Sequence, residues 1–331
     1  MSKDKIQIGK HILANNAFLA PMAGITDASF RTLATRFGAG LVVSEMVASA
    51  SLGAGQKEML RRIRTSNDNP HVVQLSGNQA VWLELGAKMA AQSGADIIDI
   101  NMGCPSKKVT NGLAGAGLMK DPDKALRLIE AVANATDLPI TLKMRLGWDE
   151  NNLNASQIAT SAVNAGVKMI VVHGRTRQQF YRGKARWELV KPVVDAVNIP
   201  VVVNGDIKDI TSAKAALSQS GAKAVMIGRA IYGQPWLAGQ IGSGLNGEVK
   251  IKPPKANELL DLIIEHYEMM LDEYGIFLGV LGARKHIVWY FEAANIKLEK
   301  NISKALLTAT DPKVVIAFIK QIFFEHFNKA A

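Results

Sequence analysis

Eight short apolar runs, rich in β-branched residues, recur along this chain with starts 23 to 43 residues apart: Phe18–Met22, Leu41–Met46, Val72–Leu75, Ile97–Asn101, Ile140–Arg145, Met169–His173, Val201–Asn204 and Ala224–Ile227. Each is too short for a buried helix, and helical periodicity fits between most of them. Such alternation marks β-then-α units on a parallel sheet. Eight regular units suit an α/β fold closed as a (β/α)8 barrel better than the alternative, a doubly wound open sheet. The punctuation agrees. Phe37-Gly-Ala-Gly40, Ser93-Gly-Ala95, Ala165-Gly-Val167 and Ser220-Gly-Ala222 place glycine where a helix should stop before a strand. Asp121-Pro122 offers an N-cap followed by proline at the first helical position.

After the eighth run the pattern changes. Gly242–Pro254 is rich in Gly, Ser, Lys and Pro and reads as a linker. Beyond it, Leu259, Leu260, Ile263, Ile264, Tyr267, Met270 and Leu271 form one helical stripe. Val315, Phe318, Ile319, Ile322 and Phe323 form another, opened by Asp311-Pro312. The expected organisation is a catalytic barrel over 1–245, a linker over 246–254 and a small C-terminal helical domain over 255–331. A single cysteine excludes an intramolecular disulfide framework and any multi-cysteine zinc or iron–sulfur site, and no metal is expected. The N-terminus has no apolar signal core and no apolar stretch approaches the ~20 residues of a membrane span, so a cytoplasmic protein without membrane attachment is expected.

Strand alternation locates the chemistry. Asp99 and Asn101 share one face of the fourth strand; Thr141, Lys143 and Arg145 share one face of the fifth. Polar side chains therefore gather late in the strands, inside the barrel, at the C-terminal mouth where barrel active sites form. Long cationic chains merely reaching for solvent are the plainer account. The last two strands end in Asn204-Gly205-Asp206 and Gly228-Arg229-Ala230. Glycines there admit a phosphate to the backbone N–H groups and Arg229 adds charge, at the usual phosphate position of such barrels. The lone thiol, Cys104, lies in Asn101-Met-Gly-Cys-Pro105, just past the fourth strand, with Lys107 and Lys108 close behind. A lone cysteine is by default a small hydrophobe; this setting instead suits a thiol that gives or takes a proton.

The net charge is +10, with a sequence pI of about 9.6, which favours a polyanionic partner. The excess lies in the barrel: residues 255–331 hold 9 Lys/Arg against 10 Asp/Glu. It is densest in 175–191, where Arg175, Arg177, Arg182, Lys184, Arg186 and Lys191 face only Glu188, with Phe180, Tyr181 and Trp187 interleaved. A solvated charged loop is the plain reading. Cations interleaved with stacking platforms beside a barrel mouth suit a base drawn out of RNA.

These motifs, in this order, resemble the tRNA-dihydrouridine synthases, most nearly their bacterial B-type branch. The resemblance rests on Ala20-Pro-Met-Ala-Gly-Ile-Thr-Asp27, Ser44-Glu-Met46, Gln74-Leu-Ser-Gly77, Asp99-Ile-Asn-Met-Gly-Cys-Pro105, Leu142-Lys-Met-Arg145 and His173-Gly-Arg-Thr-Arg177. It continues through Asn204-Gly-Asp206, Gly228-Arg-Ala230, Ala283-Arg-Lys-His286 and Trp289-Tyr290. It implies an FMN oxidoreductase that reduces the 5,6 double bond of a uridine in tRNA, in the D-loop, with NADPH recharging the flavin and no obligate protein partner. Hydride to uracil C6 leaves an enolate that needs a proton at C5, and Cys104 is assigned as the acid. Lys143 suits the negative charge of reduced flavin near N1 and O2. Gln74 suits the isoalloxazine edge, Pro21-Met22-Ala23 the floor beneath the ring, and His173 and the two glycine turns the rest of the cofactor. Asn101 would orient the uracil or the flavin. Arg175, Arg177 and Arg182 would grip phosphates near the extruded base, and Arg284 and Lys285 a more distant stretch of backbone.

Two rivals remain open on the residues alone. An FMN barrel acting on a free pyrimidine, as dihydroorotate dehydrogenases do, would need neither the basic 175–191 segment nor the extra helices. An RNA-binding protein on a catalytically dead barrel would have no reason to keep Cys104, Lys143 and both glycine turns.

Overall fold

The computed structural model describes residues 5–64, 70–248 and 251–328. Eight parallel strands form the barrel: β1 (Ala17–Leu19), β2 in two segments (Leu41–Val42 and Val47–Ala48), β3 (Val72–Ser76), β4 (Ile97–Met102), β5 (Ile140–Arg145), β6 (Met169–His173), β7 (Val201–Asn204) and β8 (Ala224–Ile227). The sheet order runs from the first segment of β2 through β1, β8, β7, β6, β5, β4 and β3 to the second segment of β2. Leu41–Val42 pairs with β1 and Val47–Ala48 with β3, so β2 closes the ring. The Ser44 N–H donates to the Val72 carbonyl at 3.0 Å across the interruption. The fold is the expected (β/α)8 barrel.

The first strand ends sooner than Phe18–Met22 suggests. Ala20 N–H still donates to Ile227 O at 2.8 Å, but Pro21 has no N–H to continue the ladder. The chain then turns, with the N–H groups of Ile25 and Thr26 both on Met22 O at 3.0 Å. At the opposite end of the barrel, Ile6, Ile8 and Leu13 from an N-terminal two-stranded ribbon join Phe18, Val72, Ile97, Val202 and Met226 in a buried apolar floor. Polar side chains occupy the layer above it. The expected helix ends hold: helices stop at Arg36, Gln92, Asn164 and Ser220. The Asp121 carboxylate caps its helix by accepting from Lys124 N–H at 2.9 Å.

The proposed linker begins later than its composition indicates. Gly242 to Asn246 belong to a helix, Leu237–Asn246, whose Leu237, Ala238, Ile241 and Leu245 are buried. Its glycines serve close packing. A Cβ on Gly239 would collide with the Phe37 carbonyl, and one on Gly242 with the Asn15 side chain. The chain reverses at Gly247 (φ 73°); positions 249 and 250 of the expected linker lie outside the described residues. Helical segments Ala256–Ala293, Lys300–Thr308 and Pro312–Asn328 follow, the first broken at Gly275 (φ 74°, ψ 166°). Both expected stripes are buried or half-buried in one cluster that takes in Leu33 and Trp236 of the barrel. Acidic side chains early in this tail partly meet barrel cations. Glu265 takes Arg36 in a bidentate pair at 2.7 and 2.8 Å, and Glu273 lies 3.7 Å from Arg61. Such exposed pairs orient more than they stabilise. Among the described residues no helix is long and apolar enough to cross a membrane.

Where the tail meets the barrel, His266 and His286 stack edge-on with ring centroids 4.8 Å apart, against Phe30. Both are buried, and among the described residues neither His286 nitrogen has a hydrogen-bond partner. Burial pushes the His266 pKa down to about 3, with Glu265 pulling back, and pushes His286 well below the ordinary imidazole range, helped by His266 and Lys285. Both rings are therefore neutral when folded and take up protons near pH 6.5 when unfolded. Stability from them is complete above that pH and falls as pH drops below it. Asp27 acts oppositely: burial raises its pKa to about 6, so the folded state holds its proton longer. Thermal melts from pH 7 to 4.5 should show His286→Phe flattening the acid loss relative to the parent chain. Equal slopes for the two proteins would rule out the buried-imidazole account.

Candidate functional site

The mouth of the barrel opens into a cleft of about 1270 Å³. Every residue assigned above to the cofactor lines it: Pro21, Met22, Ala23, Gln74, Lys143, His173, Asn204, Gly205, Asp206, Gly228 and Arg229. Asn101, Cys104 and Arg175 line it too, whereas Arg177, Arg182, Arg284 and Lys285 do not. Strand register explains the convergence. Gln74 pairs with Asp99 across β3 and β4, Asp99 with Thr141 and Asn101 with Lys143 across β4 and β5, and His173 with Asn204 across β6 and β7. Their side chains all point inward.

The inward layer is linked by hydrogen bonds. Asp99, almost wholly buried, accepts from Gln74 Nε2 at 2.7 Å and from Thr141 Oγ1 at 2.6 Å. Gln74 Oε1 accepts from Asn101 Nδ2 at 2.7 Å. Lys143 Nζ donates to Asn204 Oδ1 at 3.2 Å, and Asn204 Nδ2 to Met226 O at 2.8 Å. Burial raises the Asp99 pKa, while the Thr141 and Gln74 bonds and the Lys143 charge oppose it. Burial pushes Lys143 down to about 8; Arg145 adds to that and Asp99 works against it. His173 is held well below its ordinary range, first by burial and then by Arg145, Lys143, Arg175 and Arg229. Its Nε2, 3.3 Å from Arg175 Nη1, can only accept, since a guanidinium only donates. The site is thus a positive cradle around a neutral imidazole.

Asn101, at the cleft wall, also holds the neighbouring loop. Its Oδ1 accepts from the N–H groups of Gly103 at 3.1 Å and Cys104 at 3.0 Å, which fixes the loop carrying the thiol. Cys104 itself is partly exposed at the cleft wall. Arg145, given no role from sequence, secures the same loop. Its buried guanidinium donates to Gly103 O at 2.8 Å, Thr176 O at 2.9 Å and Phe180 O at 2.8 Å. The signal for it was already present, two residues beyond Lys143 on the inward face. Arg145 also holds Phe180 at φ 58°, an uncommon conformation for a bulky residue, and so stands Phe180 and Tyr181 on the lip of the cleft. The Arg229 guanidinium lies 4.6 Å from the Tyr181 ring centre.

The basic run divides sharply. Arg175, expected to grip RNA, is buried. Its Nη2 spans both Asp206 oxygens at 2.9 and 2.7 Å and reaches Gly183 O at 2.7 Å, while Nε donates to Arg182 O at 3.2 Å. The Asp206 carboxylate also accepts from Ala185 N–H at 2.8 Å and so anchors the 183–185 loop. Gly205 between these parts has φ 114°, and a Cβ there would strike His173 and Ala185. Arg177 is half-buried, bonded to Thr110 Oγ1 at 2.9 Å and lying over Trp148. Arg186 is paired with Glu150. Arg182 and Lys184 remain exposed. In the tail, Arg284 is half-buried and donates to Ala309 O at 3.2 Å, so it ties two helices together. Lys285 lines a separate cavity of about 170 Å³ between Glu45, Arg61 and Tyr274.

A family profile described as dihydrouridine synthase (Dus) matches residues 18–327. A probable tRNA-dihydrouridine synthase of Rhodobacter capsulatus is 51% identical over 327 residues, 98% of each chain. The tRNA-dihydrouridine synthase B of Pseudomonas aeruginosa is 40% identical over 324 residues, covering 98% of this chain and 97% of its own. Among solved structures, morphinone reductase in complex with tetrahydroNAD superposes with a TM-score of 0.52 at 13% identity, over 78% of this chain and 93% of that one, a likeness of fold alone.

Proposed function

The chain belongs to the dihydrouridine synthase family, and on that premise we propose that its barrel mouth holds FMN and reduces the 5,6 double bond of a uridine in tRNA, with NADPH as the reductant. The observation that carries this reading is the meeting in one cleft of an accessible thiol, Cys104, with the half-buried cation Lys143 and two glycine turns at consecutive strand ends. The residues present fit the cofactor. The turns Asn204–Asp206 and Gly228–Ala230 with the half-exposed Arg229 suit its phosphate. Lys143 suits the pyrimidine edge of the ring that becomes negative on reduction, and Gln74, on the same cleft wall, suits the isoalloxazine edge. Pro21, Met22 and Ala23 supply an apolar floor.

Bound and reduced, FMN would supply the hydride for uracil C6. Cys104 gives the proton to C5 from the opposite face, and the Asn101 and Arg145 bonds to its loop keep the thiol on that side. The cations around His173 stabilise charge without proton transfer from the ring, because the imidazole is already neutral. Phe180 and Tyr181 offer rings on which an extruded base stacks. The helical tail, 255–331, orients the rest of the tRNA, and the enzyme works in the cytoplasm.

Incubation with NADPH and unmodified tRNA, read by mass spectrometry, should yield dihydrouridine. The purified protein should be yellow. Arg229→Ala should loosen the flavin, whereas Lys143→Ala should slow its reduction more than it lowers its occupancy. A colourless protein that takes up no FMN on reconstitution would refute the assignment.

A further inference from the structure

We propose that Asp99 is a positioning residue for this reaction: its carboxylate, two side chains removed from Cys104, sets which end of the Gln74 and Asn101 amides donates and which accepts. It thereby holds the Cys104 backbone and fixes the group that Gln74 shows to the flavin. The inference rests on the roles proposed above for the flavin and the thiol.

A carboxamide has nearly the same shape in either of its two orientations, but a flip exchanges donor for acceptor. Neither Gln74 nor Asn101 therefore selects its own orientation. The two ends of the chain do. At the Cys104 end stand two backbone N–H groups, Gly103 and Cys104, which can only donate. At the other end stands Asp99, which when ionised can only accept, with Thr141 filling Oδ1 and Gln74 Nε2 on Oδ2. Only one arrangement satisfies both ends. Gln74 must give Nε2 to Asp99, its Oε1 must then receive Asn101 Nδ2, and Asn101 Oδ1 is left for the two N–H groups. Gln74, Asp99 and Thr141 are at most 2% exposed and Asn101 is 8% exposed, so water cannot repair a mismatch. Burial works against charge on Asp99, and the Lys143 ammonium favours it. The cation assigned to the flavin thus also supports the carboxylate that orients the thiol loop.

The polarity can be reversed by design, which separates positioning from mere packing. In Asp99→Asn the end group accepts or donates, so both amide orientations become available. The reversed one turns the Asn101 NH2 against the Gly103 and Cys104 N–H groups. In Asn101→Asp, carboxylates flank Gln74 and one of them must face Oε1. In the double variant the carboxylate moves to the Cys104 end. There it accepts both N–H groups and a flipped Gln74 Nε2, while Gln74 Oε1 receives the new amide at 99 and Thr141 donates to that amide's oxygen. All bonds are again made, with the chain running backwards.

Stopped-flow measurement of the two half-reactions tests this, together with flavin absorbance and melting temperature. Asp99→Asn should slow flavin oxidation by tRNA roughly 10-fold and Asn101→Asp by up to ~10²-fold, the scale on which small misplacements of a reacting group cost rate. Reduction by NADPH should change less. The double variant should recover the tRNA step and the melting temperature to near the parent values, while its flavin absorbance stays shifted because Gln74 presents its other end. Single-variant losses that multiply in the double variant, in rate or in melting temperature, would overturn the proposal. So would an Asp99→Asn protein equal to the parent in both half-reactions. If the parent makes no dihydrouridine, the functional reading fails, whereas the coupling in melting temperature and absorbance still decides the role of Asp99.

Discussion

Replacing Cys104 by alanine is expected to split the reaction into a half that survives and a half that does not. The thiol's neighbours are held by other groups: Asn101 binds the loop through the N–H groups of 103 and 104, and Arg145 through Gly103 O. None of these bonds uses the sulfur. Cys104→Ala should therefore keep the loop and the flavin site, so NADPH still bleaches the flavin at the parent rate. Oxidation by tRNA should slow by roughly 10²–10⁴-fold, the usual worth of a positioned acid. Single-turnover stopped flow with prereduced enzyme reads this step directly. A variant that makes dihydrouridine as fast as the parent would leave Cys104 a structural thiol.

The barrel was legible because strand alternation and helix-ending glycines are local signals, and parallel register then carries the inward residues of β3 to β8 to one mouth. For that reason the cofactor residues named from sequence meet in one cleft. What the sequence left unread was decided by partners distant along the chain. Gly242 and Ser243 look like linker until Asn15 and Phe37 are packed against their helix. His266 and His286 meet only because Gly275 folds their segment back, and nothing within either stripe announces that turn. The role of Asn101 likewise follows from Gln74, 27 residues away. Arg175 and Arg182 are alike as letters; Asp206, 31 residues beyond Arg175, takes one inside.

That difference yields the other large effect. Arg175→Ala removes the donors to both Asp206 oxygens, to Gly183 O and to Arg182 O. Asp206 keeps Ala185 N–H and has Arg229 at 3.9 Å, and about a third of its side chain is exposed, so its charge is not left wholly stranded. The loss should still be roughly 2–4 kcal/mol, below the full cost of orphaning a buried charge. It should appear as a lower melting temperature and weaker FMN retention, since the Asn204–Asp206 turn loses its brace. Arg182 and Lys184 should behave oppositely. Both are exposed, so Arg182→Ala with Lys184→Ala should change stability by no more than about 0.5 kcal/mol. If they meet phosphates, the slope of log K for tRNA against log salt should fall by roughly 0.7–0.9 for each phosphate no longer neutralised. NADPH oxidation should be untouched, because neither side chain belongs to the hydrogen-bonded layer above the floor. Titrations of tRNA binding at several salt concentrations, paired with melts of the same proteins, separate the two roles. A stable Arg175→Ala protein with an altered salt slope would return Arg175 to the RNA surface. An unchanged slope in the Arg182, Lys184 variant would leave the exposed part of the run as solvated surface, with tRNA held elsewhere.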